Sequence, residues 1–324
     1  MAEPASDPLT AGVAPRTLRG AIEGFLLSRR AGNCTTGTVR LYEANLARFA
    51  AAVGDDLAAC TPLTVQRYLT ALRERMRPVT VHQHFRGLRT FFGWCEQAGL
   101  MATSPLRGVT MRAPKTLPRV PEDEHVRRLL AACPQTFEGT RTKALIALLS
   151  DSGLRVTEAL RLRRDDVHVA TRTLTIRAGK GQKDGIGFFG VTAGALLDQW
   201  LALRPQARGQ DFLFCDRAGR PMARSTVLKV LHRLSIKTGL PHKIGPHALR
   251  HFAGTSLLRR TGDLELVRRV LRHESLAMAL KYAHLTGVDV AGKFALASPL
   301  DSLHAAREPR SPYRVARPNG GMGR

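Results

Sequence analysis

Arg155, Lys180, His247, Arg250, His273 and Tyr282 are residues whose types and order could open a phosphodiester by tyrosine attack. A phosphodiester carries a full negative charge that repels nucleophiles, so attack needs cations at its non-bridging oxygens, and planar guanidinium forks suit them. Arg155 and Arg250 could supply two such forks. A tyrosine hydroxyl has a pKa near ~10 and is a weak nucleophile until a neighbour takes its proton or positive charge stabilises the phenolate. A histidine suits that role. The departing 5′ oxygen needs a proton as its bond breaks. Lys180 could give it, and Lys183 could reach the same place.

The spacing of these residues narrows the reading. Arg155 follows Gly153 in the stretch Leu149-Ser150-Asp151-Ser152-Gly153-Leu154-Arg155-Val156-Thr157-Glu158-Ala159-Leu160. Lys180 stands in Gly179-Lys180-Gly181, and His247 and Arg250 stand in Pro246-His247-Ala248-Leu249-Arg250-His251. Tyr282 lies nine residues beyond the histidine of Leu271-Arg272-His273-Glu274-Ser275. Each segment alone is weak, because GlyLysGly and HisXXArg occur by chance in basic proteins. Four in this order resemble the tyrosine recombinases, or phage integrases, and within them the two-domain Xer-like members.

That resemblance implies a mainly α fold with a small β-sheet in the C-terminal domain. A helical-bundle core-binding domain and a catalytic domain would form a C-shaped clamp on double-stranded DNA. It implies site-specific recombination through a covalent 3′-phosphotyrosine, for integration, excision or resolution, with no cofactor, metal or ATP. Four protomers would act on DNA, as a homotetramer or with a second recombinase, and residues 288–303 would dock into the neighbouring copy. In the roles it implies, Arg155 and Arg250 hold the scissile phosphate and His273 bonds a phosphate oxygen. His247 takes the proton of Tyr282, and Lys180 protonates the leaving oxygen. Three departures stand out. Arg272 occupies the usual glycine before the histidine. Gly185, Gly187 and Phe188 replace an arginine and a Val-Pro pair on the lysine hairpin, and Ala279 and Leu280 stand where small hydroxylated and polar residues often precede the tyrosine. Two other readings stay open, a type IB topoisomerase-like relaxing enzyme and a catalytically degenerate DNA-binding regulator. His247 and His251 have the spacing of paired zinc ligands, but Arg250 between them would repel a cation.

Fifty basic against twenty-six acidic side chains give a formal charge of +24 over 324 residues. Such an excess fits a polyanion, because displacing counterions from DNA makes lysine and arginine its main source of affinity. Five widely spaced cysteines without a CysXXCys pair suggest neither a disulfide framework nor a zinc finger. No apolar run reaches the ~20 residues of a membrane span, and a cytoplasmic, nucleoid-associated protein is expected.

The elements that must position these residues follow from periodicity. Residues 1–15 read as a disordered N-terminus and 16–105 as a helical core-binding domain. Within it Val39, Tyr42, Leu46, Phe49 and Val53, then Val81, Phe85, Leu88, Phe92 and Cys95, recur at helical spacing. The far face of the second stripe carries Arg86 and Arg89 as possible DNA contacts. The linker at 106–121 adds Arg112 and Lys115, and a helix at 224–238 adds Arg224 and Lys229. A catalytic domain is expected over 122–304, with a strand at 173–177, a turn at 179–187 bearing Lys180, a returning strand at 188–191 and helices at 192–203, 247–260, 263–271 and 275–284. Residues 305–324 read as a basic disordered tail.

Overall fold

Threonines open the first three helices. The hydroxyls of Thr17, Thr35 and Thr61 accept the N–H groups of Gly20, Thr38 and Thr64 at the starts of α1 (Leu18–Ala31), α2 (Thr36–Val53) and α3 (Pro62–Arg75). A hydroxyl there satisfies an N–H that a helix start leaves unpaired. Pro62 and Pro78 begin α3 and α4 (Pro78–Gln97), where the missing N–H has no intrahelical partner to lose. The structure, a computed structural model, describes residues 17–114, 119–177, 184–206, 211–276, 278–280 and 282. The chain divides into two compact units, Met1–Leu117 and Pro118–Arg324.

In the first unit the apolar stripes of the four helices meet in one core. Phe25 lies edge-on to Tyr42, Phe91 and Trp94, and Phe49 lies edge-on to Tyr68 and Phe92. Leu106 is buried in this core, with Val109 and Met111 against it, so the helical unit draws in the first part of the segment read as linker. Four of the five cysteines are buried and all are free thiols. Among the described residues no helix is long and apolar enough to cross a membrane.

The second unit is built around α6 (Phe137–Ser152), which is buried along most of its second half. A helix apolar on every side needs cover on every side. Cover comes from α5 (Asp123–Ala131), α8 (Val191–Leu203) and α10 (Pro246–Thr261). The remaining helices are α7 (Val156–Ala159), α9 (Arg224–Lys237) and α11 (Leu264–Leu271). A three-stranded antiparallel sheet has the order β1 (Val167–His168), β2 (Thr173–Ile176), β3 (Gly185–Phe188). The sheet corrects two expectations. The two-residue β1 was not foreseen, being too short for any alternation to show. The returning strand begins at Gly185, inside the segment read as a turn, and ends where 188–191 was expected to begin. Glycine is a poor strand former, yet Gly187 pairs with Leu174 in the register and a Cβ there would stand 2.9 Å from Ile176. Packing against β2 decides the strand, not propensity.

Gly153 ends α6 in the left-handed region, φ 62° and ψ 21°, and a Cβ on it would run into the Leu271 side chain. Gly153→Ala should therefore destabilise the second unit by about 1–2 kcal/mol for the backbone and about 1–3 kcal/mol for displacing Leu271. Urea denaturation checks this, and a loss below about 1 kcal/mol would contradict both terms.

Candidate active site

The site is assembled where three chain reversals meet. Gly153 breaks α6, and Arg155 then caps the short helix α7 two residues on. Its backbone N–H donates to Glu158 Oε2 at 2.6 Å and its Nη1 to Glu158 Oε1 at 2.9 Å. Arg250 projects from α10 into the interior and is 3% exposed. Its Nη1 donates to the carbonyl of Gly153 and its Nη2 to the carbonyl of Leu271, both at 2.6 Å. Those carbonyls close the ends of α6 and α11, where backbone dipoles present their negative pole. Burial, followed by the charge of Arg155, still pushes the Arg250 guanidinium down to about 10.

Tyr282, in a helical stretch, is 2% exposed and belongs to a satellite core with Leu258, Val267, Leu271 and Ala279. Its ring stacks on His273, with centroids 5.9 Å apart and planes within 7°, and lies 5.6 Å from the ring of His251. His251 in turn meets His247 at 4.4 Å. Gly254 makes room for this packing, since a Cβ there would come within 2.9 Å of the tyrosine ring and 2.8 Å of Leu271. Burial raises the Tyr282 hydroxyl above its ordinary value, and Arg250 and Arg155 pull it back down.

Glu158 lies between two guanidinium groups, because Arg272 Nη2 also donates to its Oε2 at 2.5 Å. Burial works to raise the carboxyl, but the Arg272 charge, the Arg155 N–H and bonds from both guanidiniums hold it below the ordinary carboxylate value. His273 is buried, and its carbonyl accepts from Arg268. Arg155, Arg250, His273 and Tyr282 are thus brought together, and His247, exposed in the first turn of α10, joins them through His251. Lys180 and Lys183 lie outside the described residues, as does Lys115. Arg86, Arg89 and Arg112 are exposed on the first unit, and Arg224 and Lys229 on the second. Sequence reasoning missed the Arg272–Glu158 pair and the contact of Gly254 with the tyrosine. Only the small residue four positions after Arg250 hinted at the second.

The sequence model of the phage integrase family matches residues 119–287. Tyrosine recombinase XerD of Listeria innocua is 30% identical over 265 residues, which cover 78% of this chain and 89% of that protein. The chain belongs to the phage integrase family. Family membership makes it a tyrosine-type site-specific recombinase. Tyrosine recombinase XerC of Xanthomonas campestris is 28% identical over 310 residues, 94% of this chain and 96% of that one. The fold of this recombinase is also that of the XerH site-specific recombinase in its post-cleavage complex with palindromic difH. That match has a TM-score of 0.67 and 22% identity, over 88% of this chain and 85% of that one.

Two outcomes follow from the recombinase's buried groups. Arg250→Ala would leave two buried carbonyls unpaired at about 1–3 kcal/mol each, so urea denaturation should show a loss of several kcal/mol and not the small change of a surface arginine. Tyr282 should form phenolate only above the ~10 of a free phenol, seen as the difference in phenolate absorbance between wild type and Tyr282→Phe during alkaline titration. Since the folded value is the raised one, Tyr282 lowers stability as pH climbs from the ordinary value through the raised one, and Tyr282→Phe lacks that loss.

Proposed function

We propose that Tyr282 is the nucleophile of this recombinase and that Arg155, Lys180, His247, Arg250 and His273 assist it. The observation that carries the assignment is the burial of Tyr282 against His273, with Arg250 and Arg155 close enough for their charges to act on its hydroxyl. Two of the five N–H groups of Arg250 bond carbonyls. The other donors of its fork, with those of Arg155, would take the non-bridging oxygens and stabilise the charge of the five-coordinate phosphorus.

Tyr282 Oη forms the new bond to phosphorus as the bond to the 5′ oxygen breaks. The tyrosine proton passes to His247, Lys180 gives a proton to the departing 5′ oxygen, and His273 donates to a phosphate oxygen. The resulting 3′-phosphotyrosine conserves the ester, so the 5′ hydroxyl of a partner strand can reverse the attack without ATP. This is strand exchange.

The substrate is duplex DNA. The high positive charge supports this, as does a neighbour of the same fold that was solved on a palindromic substrate after cleavage. In this reading the two units, 16–105 with its linker and 122–304, close on the duplex as a clamp. Exposed Arg86 and Arg89 on α4, Arg112, and Arg224 and Lys229 on α9 contact phosphates, joined by Lys115. Exchange between two duplexes cuts four strands, which calls for four protomers, all of one chain or shared with a second recombinase. Such an enzyme works where the chromosome lies, in the cytoplasm on the nucleoid.

Covalent trapping on a nicked duplex that carries candidate sites from beside the gene, with no metal added, tests the assignment. Wild type should give a denaturation-resistant adduct and Tyr282→Phe none, at equal affinity for the duplex. Tight binding without an adduct, even with a partner recombinase supplied, would leave a DNA-binding regulator as the better reading. Relaxation of supercoiled plasmid without a specific site would instead favour the topoisomerase-like one.

A further inference from the structure

The turn of α7 and the start of β3 meet at one side chain, Arg272. Its backbone is left-handed, φ 50° and ψ 53°, a strained conformation for a residue with a side chain. Such strain persists only where the surroundings hold it, and it gathers at functional sites. Here the holding contacts are visible. Arg272 Nη2 bonds Glu158, the side chain is only 19% exposed, and its Cδ lies 3.0 Å from where a Cβ on Gly185 would stand. Nothing larger than glycine fits at 185 unless the arginine moves. Its Nη1 is buried and has no hydrogen-bond partner among the described residues.

The charges explain what this contact could do. Glu158 would otherwise have Arg155 as its one hydrogen-bonded guanidinium and offset its charge, at the point where a phosphate must be gripped. With Arg272 present, one carboxylate is shared between two guanidiniums and Arg250 adds a third positive charge beside them. The cluster keeps a positive excess for an incoming phosphate, while Glu158 still fixes Arg155 through its backbone and its fork.

We propose that Arg272 is a positioning residue for strand cleavage: it shares Glu158 with Arg155, so that Arg155 keeps its pose without losing its charge. It also fixes the base of β3, the strand that follows the segment carrying Lys180. The proposal rests on the assignment of Tyr282 and Arg155 above.

The test measures single-turnover adduct formation and duplex affinity on the same nicked duplex for wild type, Arg272→Gly, Arg272→Lys, Glu158→Gln and the Arg272→Gly/Glu158→Gln double variant. Arg272→Gly should melt no lower than wild type, since glycine adopts φ 50° without strain. It should bind the duplex as wild type does, yet form adducts on the order of ten- to a hundred-fold more slowly, the effect of a displaced catalytic group. Arg272→Lys, with its charge but no planar fork, should recover part of the rate. In the Glu158→Gln background the Arg272→Gly loss should shrink, because the two residues act through one contact. A wild-type rate for Arg272→Gly, or the same loss in both backgrounds, overturns the proposal while leaving Tyr282 as the nucleophile. No adduct from wild type itself would remove the assignment of Tyr282, and this proposal with it.

Discussion

A guanidinium buried among helix ends sets the terms for everything around it. Arg250 is almost wholly out of water, and a charge so placed must be met by polar partners or be lost by neutralisation. The partners here are the carbonyls of Gly153 and Leu271, at the closing turns of α6 and α11. Each carbonyl must therefore stop bonding within its helix at the right residue. Gly153 does so by turning left-handed, and Arg272, one residue after Leu271, also takes a left-handed cap. Leu271 packs against both Gly153 and Gly254, and Tyr282 packs against Gly254 as well. The pose of the tyrosine thus depends on the seating of the arginine.

Electrostatically, the free protein holds a cluster short of negative charge. Arg155, Arg250 and Arg272 gather around one carboxylate, Glu158, whose ionised form Arg272 and Arg155 stabilise strongly enough to overcome its burial. Folding brings these like charges together against their repulsion, and burial, with the charge of Arg155 behind it, lowers the Arg250 guanidinium. The cost is tolerable because helix-end carbonyls and Glu158 absorb part of the charge, while apolar packing around α6 supplies the stability. What remains uncompensated is a positive excess suited to a single phosphodiester.

Much of this was legible in the sequence because the chemistry requires residue types that few other roles require together. Gly153 before Arg155, HisXXArg, and a tyrosine nine residues after His273 were all readable, as were the helices of the first unit, whose apolar spacing is regular. Other features were hidden for physical reasons. The strand Gly185–Phe188 holds two glycines, and its large apolar residues Ile186 and Phe188 are the exposed ones, since its place is fixed by β2 across the register and not by its own preference. The pairing of Arg272 with Glu158 joins residues 114 apart in sequence, a distance at which no local pattern speaks. The burial of Tyr282 against His273 and His251 was equally out of reach, because a tyrosine that reacts and a tyrosine that packs have the same neighbours in sequence. Lys180 remains a sequence assignment, lying outside the described residues.

The resting state of Tyr282 constrains the proposed chemistry. Two influences oppose each other at its hydroxyl, burial holding the proton on and Arg250 with Arg155 favouring its release. A bound phosphodiester would bring its own negative charge to those same arginines. Cations that grip the phosphate can then do less to stabilise a phenolate beside it, so substrate binding weakens the pull of these two arginines toward ionisation. Electrostatic activation alone would leave the tyrosine protonated at the moment of attack. A proton acceptor is needed in the same step, and among the described residues His251 and His273 lie against the ring, with His247 against His251. His273 is committed to stacking in the buried interior, whereas His247 stands on the exposed first turn of α10 where a proton can pass on to solvent. Under the proposed assignment this favours His247 as the base, with His273 left to hold the ring and receive the phosphate.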